Sequence, residues 1–190
     1  MEIKDLKPSL IWHYFDAITK VPRPSKKEGR IREFLLAFAR EQNLAAKVDA
    51  TGNVVITKEA VPGCEGAPTV ILQAHMDMVC EKNGNVKHDF ENDPIDAYVD
   101  GEWVKARGTT LGADNGIGMA AALAVLADKE LKHGRVQALF TVDEETGLTG
   151  AFGLEAGTID GKYLLNLDSE DEAEIFIGCA GGIDTTSTFT

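Results

Sequence analysis

Seven side chains in this sequence could do chemistry together: His75, Asp77, Asp114, Asp143, Glu144, Glu145 and Asp168. The apolar run from Val136 to Val142 ends in three consecutive carboxylates, Asp143, Glu144 and Glu145. Adjacent like charges repel, and carboxylates near a dry core are costly unless paired or bound to a cation. The apolar stretch 69–75 ends in His75, followed by Met76 and Asp77. The stretch 163–167 ends in Asp168, and the glycine-rich run GTTLGADNGIG carries Asp114. One imidazole and several carboxylates form the donor set of zinc or a similar divalent ion held by nitrogen and oxygen. Cations in front of the cluster would neutralise it.

Spacing refines this reading. His75 and Asp77 are two apart, so in extended chain they point the same way. A carboxylate beside a ligating imidazole orients it and raises its basicity. Glu144 and Glu145 are neighbours, which in extended chain point apart. One can then bind metal while the other takes a proton from a metal-activated water. Taken singly, each piece has an ordinary explanation: a strand-end histidine in a hydrogen bond, a solvated Glu-Glu turn, an N-cap at Asp114. It is their convergence that points to a metal centre.

The remaining candidates read as structural. His13 falls off the apolar face of its helix, His133 sits in the last turn of another, where a positive charge suits the dipole, and His88 lies in a polar loop. Cys80 and Cys179 have no histidine base in view and read as packed small residues. GADNGIG lacks the Lys-Ser/Thr of a phosphate-binding loop and the spacing of a dinucleotide fingerprint. DSEDEAEI lacks the glycine and terminal glutamate of a calcium loop, and there is no GxSxG elbow.

The elements that must position these groups follow from periodicity. Residues 8–20 read as an amphipathic helix stopped by Pro22 and Pro24. Ser25 and Glu28 have the spacing of a capping box for a second helix ending near Asn43. Strands are predicted at 53–58, 69–75, 136–142, 163–167 and 173–178. A loop at 81–106 holds a short hairpin around Asp100-Gly101. A helix from about 117 to 132 is apolar nearly all round, hence buried, with Gly134 suited to its C-terminal cap. A short helix lies near 149–156. Strands alternating with helices give an α/β layered fold, in which sites gather beyond the carboxyl ends of the strands.

Composition bounds the function classes. The chain has 190 residues, 44% hydrophobic and 26% charged, with a formal net charge of -12. Surplus acid argues against nucleic acid or anionic membrane as partner. There is no apolar run of the roughly 20 residues a membrane span needs. Three cysteines without CxxC spacing suggest reduced thiols, and the N-terminus lacks a signal-peptide layout. A cytoplasmic protein is the expectation.

The runs QAHMD, GADNG, DEETG and NLDSED resemble the co-catalytic zinc peptidases that include carboxypeptidase G, aminoacylase, peptidase T and the carnosinase-type dipeptidases. The longer stretches PRPSKKEGRI, ILQAHMDMVCEKN, GTTLGADNGIG, FTVDEETGLTGAFGL and NLDSEDEAEIFIGCAGG are similar to the aminoacyl-histidine dipeptidase branch of that family. The resemblance implies a three-layer catalytic domain with a central, mostly parallel mixed sheet flanked by helices, incomplete at its C-terminal side. It implies two Zn2+ ions, with Co2+ or Mn2+ as possible substitutes. His75 and Asp168 would bind the first, Asp114 would bridge both through a residue whose peptide bond to Asn115 is often cis, and Glu145 would bind the second. Asp77 would orient His75 and Glu144 would be the general base, passing a proton from a metal-bridging hydroxide to the leaving amine. Asp143 receives no chemical role. The substrate implied is a dipeptide, preferentially Xaa-His of the β-Ala-His type, with amino-acid deacylation or general aminopeptidase activity as the alternative from the same metal chemistry. Relatives of this kind also carry an inserted lid or dimerisation domain and a C-terminal catalytic segment with a final histidine. No histidine follows Asp168 in this sequence. Residues 1–190 are therefore expected to be the N-terminal segment of the catalytic domain. Alone it would be inactive or a non-catalytic metal-binding piece, and its parent would be a homodimer through the missing domain.

Overall fold

The two N-terminal amphipathic stretches fold as helices α1 (Ser9–Thr19) and α2 (Gly29–Glu41). The computed structural model describes residues 2–169, 174–178, 181 and 186–188. Strands β1 (Ala45–Val48), β2 (Val54–Lys58) and β3 (Val70–His75) follow, then a hairpin of β4 (Ala97–Asp100) and β5 (Trp103–Ala106). Helix α3 (Ala113–Ala127), strand β6 (Val136–Thr141), the short helices α4 (Glu144–Gly147) and α5 (Thr149–Phe152), and strand β7 (Tyr163–Asn166) complete the order.

Five strands form one mixed sheet in the order β1-β2-β6-β3-β7. The pairs β6–β3 and β3–β7 are parallel, while β1–β2 and β2–β6 are antiparallel. Alternation along the strands sorts side chains between two faces. Val54 and Ile56 of β2, with Leu72, Ala74, Ala138 and Phe140, meet the apolar stripes of α1, α2 and α3 through Phe15, Ile18, Leu35, Met119 and Leu123. Full burial of each of the larger of these side chains, alanines aside, stabilises the fold by about 1.5–3 kcal/mol. The opposite face presents Val55, Ile71 and Leu139, covered by Leu154 and Ile159 from the segment after α5. The result is the α/β sheet flanked by helices expected from the sequence, with its second outer layer much thinner than the first.

Several local expectations change. Strand β1 was not anticipated, because its residues are exposed and carry no burial pattern. Helix α3 ends at Ala127 and not near 132, because Asp128 is extended and its carboxylate accepts the N–H groups of Glu130 and Leu131 at 2.8 and 3.1 Å. Gly134 is therefore not its cap. His133 lies in the connection to β6, with Nδ1 2.7 Å from the Gly134 carbonyl, so the dipole argument does not apply to it. Glu174–Gly178 are not in a strand. Ile175 and Ile177 are almost fully exposed there, with no described neighbour to pair against. Ala173 of that predicted strand and Cys179 lie outside the described residues. No helix among the described residues is long and apolar enough to cross a membrane.

Candidate active site

Register decides which strand ends meet. His75 pairs with Thr141 and Gln73 with Asn166, in parallel ladders. Continuing each ladder by two residues brings Asp77 level with Asp143 and Asp168 level with His75. Helix α3 begins at the same edge of the sheet. Gly112 precedes it in a left-handed conformation (φ 71°), and Asp114 and Asn115 depart from helical geometry with a cis bond between them.

His75 is the centre of the cluster, buried to 1% exposure. Its Nε2 lies 2.9 Å from Asp114 Oδ1, 3.7 Å from Asp168 Oδ1 and 4.0 Å from Glu144 Oε2. Its Nδ1 lies 3.2 Å from Asp77 Oδ1, as the two-residue spacing predicted. Asp77 is fully buried and accepts three further hydrogen bonds: the Ser25 hydroxyl at 2.8 Å and the Glu144 and Glu145 amides at 3.0 and 3.2 Å. One carboxylate thus pins the histidine, the loop before α2 and the first turn of α4. Burial works to raise the Asp77 carboxyl, but its hydrogen bonds from His75, the Glu144 amide and Ser25 outweigh it and hold the pKa at about 2. Burial likewise works against a charged His75, and the Asp77 and Asp114 carboxylates outweigh it, raising the imidazole to about 9.

The outer acids shift the other way. Burial raises Glu144, and Asp168, Glu145 and Asp77 add repulsion. Glu145 rises from burial and then from Asp114, and Asp168 from burial with Asp114 adding to it. Asn115 steers Asp168: its Nδ2 donates to Asp168 Oδ1 and, at 3.3 Å, to the Leu167 carbonyl. Burial is the first cause of each of these shifts, and repulsion among the crowded acids adds to it.

Glu144 and Glu145 do not sit in extended chain on opposite sides. They form the first turn of α4, because Asp143 adopts a left-handed conformation (φ 51°, ψ 50°) that ends the strand path. Asp143 is buried, and its two carboxylate oxygens accept the hydroxyls of Thr146 and Thr149. Ser25 and Glu28 make no capping box. Helix α2 starts only at Gly29, and Glu28 Oε1 accepts the Lys26 and Asp143 amides at 2.8 and 3.0 Å. The hydrogen-bonding groups that would have capped a helix are committed to the site. Arg23 was missed altogether by the sequence reading. It is buried, and burial lowers it to about 10 against the pull of nearby acids led by Asp77. Its only sequence signal was its place between two prolines.

Ligand-capable atoms gather into two overlapping groups among the described residues, His75–Asp114–Asp168 and His75–Glu144–Glu145, the atoms in each lying within 4.8 Å of one another. The first is the donor set the resemblance assigns to one zinc ion. The second brings Glu145 to the same histidine. Nitrogen and oxygen donors at this separation fit a borderline divalent ion. His13 is exposed and His88 packs on Phe90 in the polar loop, both apart from the site. Cys80 is partly buried, with Sγ 3.5 Å from the Met78 carbonyl.

Residues 71–184 match the peptidase family M20/M25/M40. The cytosol non-specific dipeptidase of Escherichia coli (strain K12) is 51% identical over 186 residues, covering 98% of this chain and 38% of that protein. The crystal structure of aminoacylhistidine dipeptidase from Vibrio alginolyticus superposes with a TM-score of 0.92 at 55% identity, covering 94% of this chain and 36% of that one. Aminopeptidase PepT from Bacillus cereus ATCC 10987 gives a TM-score of 0.70 at 26% identity, over 85% of this chain and 43% of that one. The chain thus spans well under half the length of these relatives.

Proposed function

The chain belongs to the peptidase family M20/M25/M40, and from that premise we propose that it contributes the metal-binding and proton-transferring groups of a dipeptidase acting on Xaa-His substrates. The observation that carries this reading is the convergence of His75, Asp114, Asp168 and Glu144 on one point at the carboxyl edge of the sheet. His75, Asp114 and Asp168 would hold one divalent ion, and Glu145 with Asp114 a second. When bound, such ions polarise a peptide carbonyl and acidify coordinated water to a pKa of about 7.

The chain's own residues supply the rest. Asp77 holds the His75 ring by Nδ1 and leaves Nε2 facing the acids. Glu144, raised by burial and partly exposed, takes a proton from the attacking water and returns it to the leaving amine. A carboxylate with a raised pKa suits both halves of that transfer. Asp114 has 66% of its side chain exposed, which leaves oxygen free to face a second ion. The Xaa-His preference rests on the kinship with the Vibrio aminoacylhistidine dipeptidase and on no pocket of this chain; the Escherichia coli relative is named a non-specific dipeptidase, which widens the substrate class to dipeptides generally.

The test has two parts. Zn2+ or Co2+ titrated into the chain should bind, and His75→Ala should abolish binding. β-Ala-His hydrolysis should be slight or absent in the chain alone; in a version extended to the length of its relatives it should require the metal and disappear in Glu144→Gln. N-acetyl amino acids serve as the competing substrate class. Their preferential hydrolysis would replace the dipeptidase reading with a deacylase on the same residues.

A further inference from the structure

The loop between α1 and α2 carries no group that the proposed chemistry uses, yet it touches three of the four segments that do: the end of β3, the turn before Asp114 and the turn before Glu144. Arg23 has 3% of its surface exposed. Its guanidinium packs so closely on the turn before α3 that a Cβ at Gly112 would stand 2.5 Å from Nη2, and one at Gly116 2.8 Å. Nη1 donates to the Met76 and Asp77 carbonyls at 3.0 and 2.6 Å, and Nη2 donates to the Gly112 carbonyl. Among the described residues no carboxylate lies within ion-pair distance of it. A buried guanidinium is ordinarily committed to a carboxylate fork; this one is committed to backbone. Two residues on, Ser25 donates to Asp77 Oδ2, and Glu28 accepts the amide of Asp143. Residues 23–28 therefore reach the end of β3, the Asp114 turn and the residue before Glu144.

We propose that Arg23 is a positioning residue for the metal site: its planar fork fixes the end of β3, with His75 and Asp77, against the turn that carries Asp114, while Ser25 and Glu28 hold the Asp143–Glu145 arm in the same frame. The inference rests on the metal-site reading, since the object positioned is that donor set. Asp114 shows why a backbone anchor is needed. Its side chain is mostly exposed, and its side-chain partners are His75 and Asp168, themselves members of the donor set, so packing does not fix where it points. Its position comes from the main chain, and the main chain two residues earlier is held by Arg23. Lysine cannot substitute, because an ammonium donates from one point and cannot span carbonyls on two segments.

Arg23→Lys, Arg23→Met and Ser25→Ala in the chain test this, with Leu126→Ala as a control that destabilises the core at the far end of α3. Two readouts are needed: Co2+ affinity from its visible spectrum, and amide hydrogen exchange of the metal-free chain. Both Arg23 variants should lose about tenfold or more in Co2+ affinity and speed exchange at 112–116 and 143–145, leaving β2 unchanged. Ser25→Ala should speed exchange at Glu144 and Glu145 with a smaller loss of affinity. Leu126→Ala should leave affinity within about twofold of the parent, because its site is undisturbed. Parental Co2+ affinity in Arg23→Lys, or exchange that rises everywhere alike, would overturn the proposal. If the parent chain binds no Co2+, the metal reading falls and exchange alone decides the positioning role. If Arg23→Met does not fold, Arg23→Lys and Ser25→Ala carry the decision.

Discussion

In the proposed metal site, an incoming ion would have to displace a proton from His75. Its imidazole is raised to about 9 by Asp77 and Asp114 against the effect of burial, so at neutral pH it is charged, and a metal ligand must be neutral. Binding of Zn2+ at pH 7 should release about one proton from this ring, read by calorimetry in buffers of differing ionisation heat. Apparent affinity should climb as pH rises toward 9 and fall as it drops. Asp77→Asn should weaken binding by about 10–100-fold, since removal of a histidine's carboxylate partner typically does so. The same pair governs the metal-free chain. A raised His75 stabilises the fold below its unfolded value of 6.5, and that contribution is lost as pH rises through 9. A depressed Asp77 stabilises it above 3.8, and that contribution is lost as pH falls toward 2. The melting temperature of metal-free chain should therefore decline on both sides of this window, and Asp77→Asn should flatten both limbs.

At the scale of elements, two left-handed residues aim the site. Gly112 turns the chain into α3 at φ 71°, where a Cβ would meet Arg23 and the Met78 sulfur. Gly112→Ala should cost about 1–2 kcal/mol for the left-handed backbone alone, with the clash added, and should weaken metal binding as well as stability. Asp143 turns β6 into α4 at φ 51°. Asp143→Gly keeps the backbone freedom and loses the two threonine contacts; Asp143→Ala loses both. Denaturant titration should find the alanine variant the less stable by about 1 kcal/mol. Asp143 was the one acid of its cluster without a chemical role in the sequence, and its role is this turn. The Ser25–Glu28 spacing shows the limit of local reading in another way. It satisfied a helix-start pattern, but the groups it named are engaged 52 and 115 residues away.

For the molecule as a whole, metal and fold should be coupled. An ion that binds only the folded chain stabilises it by about 2.7 kcal/mol at a concentration a hundred times its dissociation constant. Chelation should thus lower the melting temperature, and His75→Ala should remove that dependence. The sheet also has an apolar margin. Leu164 and Leu165 of β7 are each about half exposed, and Ile175 and Ile177 almost wholly so. Among the described residues, strand β7 pairs with β3 on one side and with no strand on the other. An open strand edge flanked by apolar surface invites association. Sedimentation of the isolated chain should show concentration-dependent self-association, reduced by Ile175→Ser with Ile177→Ser.

By itself the sequence determined the parts of this protein that depend on local pattern. Strand and helix periodicity placed β2, β3, β6, β7 and α1 nearly to the residue and the existence of α2 without its start, and strand ends with one helix start named His75, Asp77, Asp114, Glu144, Glu145 and Asp168 as neighbours. That worked because parallel strands share one carboxyl edge, so terminal residues of different strands must meet there. What only the tertiary structure decided is how they meet. The parallel register of β3 with β6 and β7 puts Asp168 level with His75, and the αL turn at Asp143 swings both glutamates toward one imidazole. Arg23, Ser25 and Glu28 became part of the site only through long-range hydrogen bonds. No periodicity encodes such bonds, because a buried polar group is satisfied by whichever partner the fold brings within reach, however distant in the chain.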